Sequence, residues 1–139
     1  MENKIIVTIS KLIFPLIIIF GFYIQVHGSN NPGGGFQAGV IMASALFLHS
    51  IVFGYEQTLK AISFRFLKLL SMLGIMLYGG TGIACIIMGG EFLNYNALGD
   101  TNVKGQMIGI SIVEWGIGLT VFSSFCLCYY AFITKRKDI

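Results

Sequence analysis

Between Met107 and Phe132 the chain carries a single charged side chain, Glu114, set among apolar and small residues. A carboxylate well inside a bilayer span costs about 2.5–3.5 kcal/mol on insertion scales, so it must face protein or water, or hold a proton. Gaining and losing a proton, or holding a cation, is the chemistry such a residue offers; a protonated carboxyl that fastens helices together is the structural alternative. His27 is the second candidate. It closes the first apolar run beside a glycine-rich segment, where an imidazole titrating near neutrality can relay protons or serve as an interfacial hydrogen-bonding group. Glu114 and His27 are therefore the ion-pathway candidates. His49 reads as a packing or snorkelling residue, and Glu91 and Asp100 as solvated or partner-facing loop acids.

The remaining residues exclude most other chemistry. Cys85, Cys126 and Cys128 all lie inside apolar stretches, where they form neither a disulfide framework nor a metal-ligand set and read as small core residues. No nucleophile with a base, no phosphate-binding loop and no redox motif can be assembled. An enzyme is not expected, nor a cofactor, a resident metal or a nucleic-acid partner.

The elements that hold Glu114 follow from composition. With 55% hydrophobic and 11% charged residues and a mean hydropathy of +0.81, lipid must replace water over most of the surface. A span needs roughly 20 apolar residues, so 139 residues hold about four helices and no separate soluble domain. Apolar runs at about 5–26, 36–53, 68–88 and 107–132 supply them, without the two-residue alternation of a membrane barrel. The expected fold is an all-α membrane protein, one domain over 1–139, with the lipid bilayer as its first partner.

Charge then sets orientation. Lys4 and Lys11 lead the first span, Lys60, Arg65 and Lys68 lie between the second and third, and Lys135, Arg136 and Lys137 follow the fourth; the other two loops hold only Lys104. Positive residues favour the cytoplasm, which places both termini there and the glycine segment outside. A cleaved signal peptide ending near Gly28 is the competing reading of the N-terminus. Tyr23, Tyr95, Tyr129 and Tyr130 fall near span ends and read as interface anchors.

The segment from His27 to Gly39 carries Pro32, Gly33, Gly34, Gly35 and Phe36, and its small residues continue at four-residue spacing as Gly35, Gly39 and Ala43. Such a stripe gives a helix a flat face against which another can lie closely. Gly105, Gly109, Gly116 and Ser123 form a second stripe on the fourth span, and at 100° per residue Glu114 lies nearly opposite Gly105. Both faces of that helix need neighbours, and a four-helix monomer covers one easily; the second face implies a partner subunit.

The segment from His27 through Pro32, Gly33, Gly34, Gly35 and Phe36 to Gly39 resembles the signature of the B subunit (MnhB domain) of Mrp-type multisubunit sodium/proton antiporters. Gly89-Gly90-Glu91-Phe92-Leu93-Asn94 is similar to that family's end of the third helix. Glu114-Trp115-Gly116-Ile117-Gly118-Leu119-Thr120-Val121 is similar to its fourth, with Ile117 in place of the usual valine. The resemblance covers essentially the whole chain in order. It implies an accessory subunit, in the inner cell membrane, of a complex that exchanges Na+ for H+, with the other subunits as partners. Related subunits occur in membrane-bound hydrogenase-like and respiratory complexes, so a purely structural subunit of such an assembly is the alternative. An autonomous small exporter is a third reading, weakened because small multidrug transporters resemble one another by a glutamate in the first helix, which is lacking here.

Overall fold

The computed structural model describes residues 4–28 and 33–137. It contains α1 (Lys4–His27), α2 (Gly35–Phe53), a short α3 (Tyr55–Ala61), α4 (Phe64–Ile87) and α5 (Asn102–Lys137), with one 3-10 turn at Tyr95–Leu98. Four of these helices are long and apolar enough to cross a membrane, which is the expected fold class. The 24 residues of α1 and of α4 extend about 36 Å at 1.5 Å per residue, enough for a hydrocarbon core of roughly 30 Å. Pro15 lies inside α1.

The helix ends explain where the sequence reading and the structure part. Ser63 caps α4, its hydroxyl accepting from the Phe66 amide at 3.2 Å, so the third long helix begins at Phe64 and carries Arg65 and Lys68 within its first turns. Lys68 lies over the Phe64 ring, 4.9 Å from its centroid, which lets the long side chain stay at the helix end. At the other end of α4, Gly89 adopts φ +86°. The amides of Gly89 and Gly90 then return to the carbonyls of Ile86 and Cys85, the paired bonds of a Schellman stop. This turn sends Phe92 back so that its ring fills the space a side chain at residue 82 would need.

α5 is the centre of the bundle. It packs on α4 along one side and on α2 along the other, while α1 packs on α2. Two close crossings make this possible. On the α4 side, a Cβ at Gly74 would lie 2.5 Å from the Gly116 carbonyl oxygen, and one at Gly116 would lie 2.9 Å from that of Gly74. On the α2 side, a Cβ at Gly35 would fall onto the carbonyl of Glu114, and one at Gly39 would lie 2.8 Å from the carbonyl of Gly118. Residues two apart point about 200° from each other on a helix. Gly116 and Gly118 therefore serve opposite faces of α5, and both faces are covered within this chain. This corrects the inference that the second face requires a partner subunit. Gly105 and Gly109 also differ from expectation. Because α5 starts at Asn102, they lie in its first turns and meet the backbone and ring of Tyr95 in the 3-10 turn rather than another helix. Burial raises the Tyr95 phenol above its ordinary pKa, with Tyr78 and Cys85 adding to the effect.

The best-packed region sits at the end that carries α3. Ala43, Leu46, Leu67, Cys126 and Tyr130 are buried there, with Tyr55, Leu59 and Ile62 around them. Tyr55 and Thr134 share a hydroxyl hydrogen bond of 2.8 Å, and the Tyr130 hydroxyl donates to the Ile62 carbonyl at 3.4 Å. Away from the crossings the helices present large apolar side chains outward, such as Ile5, Leu12 and Ile19 on α1 and Met76 and Ile87 on α4. That is the surface a bilayer or other membrane helices cover.

The crossings differ from glycines in open space in a measurable way. Gly35→Ala drives a methyl into a backbone carbonyl that cannot swing aside, and overpacking of that kind costs about 1–3 kcal/mol or more. Gly80→Ala meets nothing within 4 Å and exchanges a poor helix former for the best one, a gain of up to about 1 kcal/mol. Thermal unfolding of the purified subunit in mild detergent should show Gly35→Ala well below the parent chain and Gly80→Ala at or above it.

Candidate functional site

The end of α1 and the start of α2 converge on Glu114. One carboxylate oxygen lies 3.2 Å from where a Cβ at Gly28 would stand, the other 3.4 Å from the Cβ position of Gly34. The local sequence makes this approach possible. Gly34 is buried with φ +131°, a conformation that L side chains rarely adopt, and it serves as the N-cap of α2 with no side-chain cap. Its carbonyl accepts from the Ala38 amide at 3.1 Å, opening the helix. The first N–H groups of α2 thus have no intrahelical partner, and their dipoles favour a negative charge near this end. Glu114 is half-buried. Among the described residues no hydrogen bond or ion pair engages its carboxylate. An acid held against backbone near a helix N-terminus is a candidate to exchange a proton or meet a cation.

His27 stands beside Gly28 in sequence, but its ring turns onto its own helix. Its Nδ1 donates to the Tyr23 carbonyl at 3.0 Å, and the imidazole stacks on the Tyr23 ring with centroids 4.3 Å apart. The structure therefore places the two ion-pathway candidates at the same end of the bundle without joining their side chains. Of the glycine segment, Gly33 lies against Ile24 of α1 and Gly35 and Gly39 lie on α5, whereas Phe36 points outward with 58% of its surface exposed. Ser29 to Pro32 lie outside the described residues. His49 belongs to the far end of α2. The Thr58 hydroxyl donates to the Gly54 carbonyl at 3.1 Å, so His49 Nδ1 donates in turn to Thr58 Oγ1 at 2.8 Å, tying α3 back onto α2. Among the described residues no group of three or more His, Cys, Asp or Glu side chains could hold a metal ion.

Sequence reasoning passed over three residues that shape this site. Gly118 is the counterpart of both Gly35 and Gly39, and Gly74 is the counterpart of Gly116. Gln25 on α1 is 3% exposed, its amide oxygen abuts the Cβ position of Gly118, and neither of its amide atoms has a hydrogen-bond partner among the described residues. The signals were present. Gln25 is the one amide in the run from Leu12 to Val26, and Gly116-x-Gly118 is a two-residue spacing that serves opposite faces. Beside Gln25 a groove of about 250 Å³ runs between α1 and α4, lined by Ile18, Phe22, Leu70, Trp115 and neighbouring apolar side chains.

The sequence as a whole is similar to known proteins. The family described as a domain related to the MnhB subunit of the Na+/H+ antiporter matches residues 5–127. A Staphylococcus haemolyticus protein named "Putative antiporter subunit mnhB2" is 33% identical over 128 residues, covering 86% of this chain and 87% of the relative. A Staphylococcus aureus (strain Newman) protein of the same name is 32% identical over 120 residues, covering 85% and 84%.

The strain of the glycine segment can be separated from its contact with the carboxylate. Gly34→Ala adds a strained backbone, of order 1–3 kcal/mol, while its methyl meets the Glu114 carboxylate only in ordinary van der Waals contact at 3.4 Å. Glu114→Ala removes that contact and leaves the backbone strain. In a double-mutant cycle read by thermal or chemical unfolding, the two substitutions should therefore add to within about 0.5 kcal/mol. A clearly larger coupling would show that a methyl at residue 34 obstructs the carboxyl.

Proposed function

Since the chain belongs to the MnhB family of Na+/H+ antiporter subunits, we propose that Glu114 borders the ion route of the complex. The chain is a multi-pass subunit of a multisubunit Na+/H+ antiporter in the cell membrane. The observation that supports a direct part in transport is the placement of its one intramembrane acid. Glu114 sits at the close crossing of α2 and α5, facing Gly28 and Gly34, and no hydrogen bond among the described residues locks it to another helix. A fastener needs a bonded partner. A titrating group needs access and a changeable environment, which a glycine-lined approach supplies.

In this reading the other subunits of the complex supply the rest of the route and cover the apolar outer faces of α1 and α4. Proton and Na+ are the transported ions, driven by the opposing gradient. Both termini face the cytoplasm and the glycine segment faces outside, as the lysines and arginines direct. His27, at the same end as Glu114, stands where the route opens. Its Nδ1 is committed to Tyr23, which leaves Nε2 as the ring nitrogen that can face the route.

Two experiments test these assignments. Glutamine keeps the size of Glu114 and much of its hydrogen bonding but cannot titrate. With subunit levels matched, Glu114→Gln should assemble normally and depress antiport in membrane vesicles by about tenfold or more, the range of a lost acid–base group, while Glu114→Asp keeps part of the activity with a changed pH profile. Normal antiport by the glutamine variant across the pH range would leave Glu114 a structural residue. For orientation, alkaline phosphatase fused after Ile139 should be inactive in intact cells, and an active fusion would reject the cytoplasmic C-terminus.

A further inference from the structure

Resting on the ion-route reading of Glu114, we infer that Gln25 is a positioning residue for that carboxyl: its amide is the group Glu114 meets on turning from the glycine segment toward the middle of the bundle. The first observation is a polar side chain without a partner. Gln25 is 3% exposed, and both its Oε1 and its Nε2 are buried with no hydrogen bond among the described residues. An unsatisfied amide in an apolar surrounding opposes folding, and leucine would fill the same space without that cost.

The second observation is where the amide lies. Its oxygen rests against Gly118, which follows Glu114 by four residues on α5, about 6 Å along the axis. From the other helix the register agrees. Gln25 precedes Gly28 by three residues on α1, and the Cβ position of Gly28 is 3.2 Å from the nearer Glu114 carboxylate oxygen. Acid and amide thus share one seam between α1 and α5, about one helical turn apart. Between them lies the crossing of Gly35 and Gly118, which contributes no side chain of its own. Polar groups elsewhere on α5 and at the end of α1 are engaged. The Thr120 hydroxyl donates to the Gly116 carbonyl at 2.9 Å, that of Ser123 donates to Leu119 at 2.7 Å, and His27 is held on Tyr23.

The chemistry of an amide suits the task. Its N–H groups donate to a carboxylate, and its carbonyl accepts from a protonated carboxyl or faces a cation, so it receives Glu114 in either state without titrating itself. Glu114 then has two stations, one against Gly28 and Gly34 and one against Gln25.

The test uses the assembled complex in vesicles, with subunit levels matched. Gln25→Leu should leave assembly and thermal stability unchanged or improved, and lower the maximal antiport rate by about 5- to 20-fold with little change in the apparent KM for Na+. Gln25→Asn, which retains the amide, should restore part of the rate. Gly118→Ala, which displaces Oε1 rather than removing it, should fall between the two. The double variant Gln25→Leu with Glu114→Gln should be no slower than Glu114→Gln alone. Normal antiport by Gln25→Leu beside an impaired Glu114→Gln overturns this inference and spares the ion-route reading. Normal antiport by Glu114→Gln overturns that reading and this inference with it. Loss of assembly in Gln25→Leu, or multiplied defects in the double variant, would make Gln25 a helix fastener or an independent element and overturn the inference.

Discussion

Between α2 and α5 the backbone of Gly35 lies against the carbonyl of Glu114 with no side chain between them, and the arrangement of the bundle depends on that contact. Lipid tails are as apolar as leucine, so helices in a membrane gain little by hiding apolar surface from their surroundings; close packing and hydrogen bonds must hold them. Here the packing is concentrated on one helix. α5 accepts α4 at Gly116 and α2 at Gly118, on faces about 200° apart, and α1 is carried by α2. A side chain at Gly116 would press on the backbone of α4, and one at Gly35 would push α2 outward, and with it the segment that brings Gly34 to the carboxylate.

The same contact places the polar groups. In water an unpaired amide or acid is inexpensive, but in a bilayer each must be satisfied by the chain, by a visiting ion or by water in a cavity. The described residues satisfy most of them locally: serine and threonine hydroxyls bond to carbonyls on their own helices, and His49 bonds to Thr58. Glu114, Gln25 and Ser50 stand apart from this pattern among the described residues, and the first two stand next to the same glycine crossing. A fold under selection for stability alone would replace both with apolar residues, so their pairing at one seam is consistent with a part in moving ions.

Much of the architecture was legible from the residues. Spans, their number and the helical class follow from runs of apolar residues whose length matches a bilayer, and the stripe of Gly35, Gly39 and Ala43 marked a surface for close approach. Helix starts were less legible. α4 begins at Phe64 because Ser63 caps it, and a hydrophobicity pattern overlooks a cap that precedes charged residues. The stripe on the fourth span was read as one packing face. In the structure its first two glycines serve the turn at Tyr95, because the chain between α4 and α5 folds back over the beginning of α5. Spacing along one helix states which residues share a face, but not which element arrives there. For the same reason Gln25 and Gly118 were not paired: 93 positions separate them in sequence, and only the docking of α1 beside α5 brings them together.

In the ion-route reading of Glu114, glycine at the crossing makes assembly and ion chemistry interdependent. Gly35 and Gly118 let α2 and α5 touch beside Glu114. A larger residue at Gly35 would fall onto the Glu114 carbonyl and separate the helices, whereas one at Gly118 would press on the Gln25 amide. A small shift of α2 relative to α5 would likewise change how closely Gly34 and the positive end of the α2 dipole approach the carboxylate, and so alter the balance between its charged and protonated forms. Helices joined through bare backbone can slide by small amounts with few side chains to rearrange. A partner subunit pressing on the apolar face of α1 or α4 therefore has a mechanical path to Glu114, through α2 from one side and through the Gly74–Gly116 contact from the other.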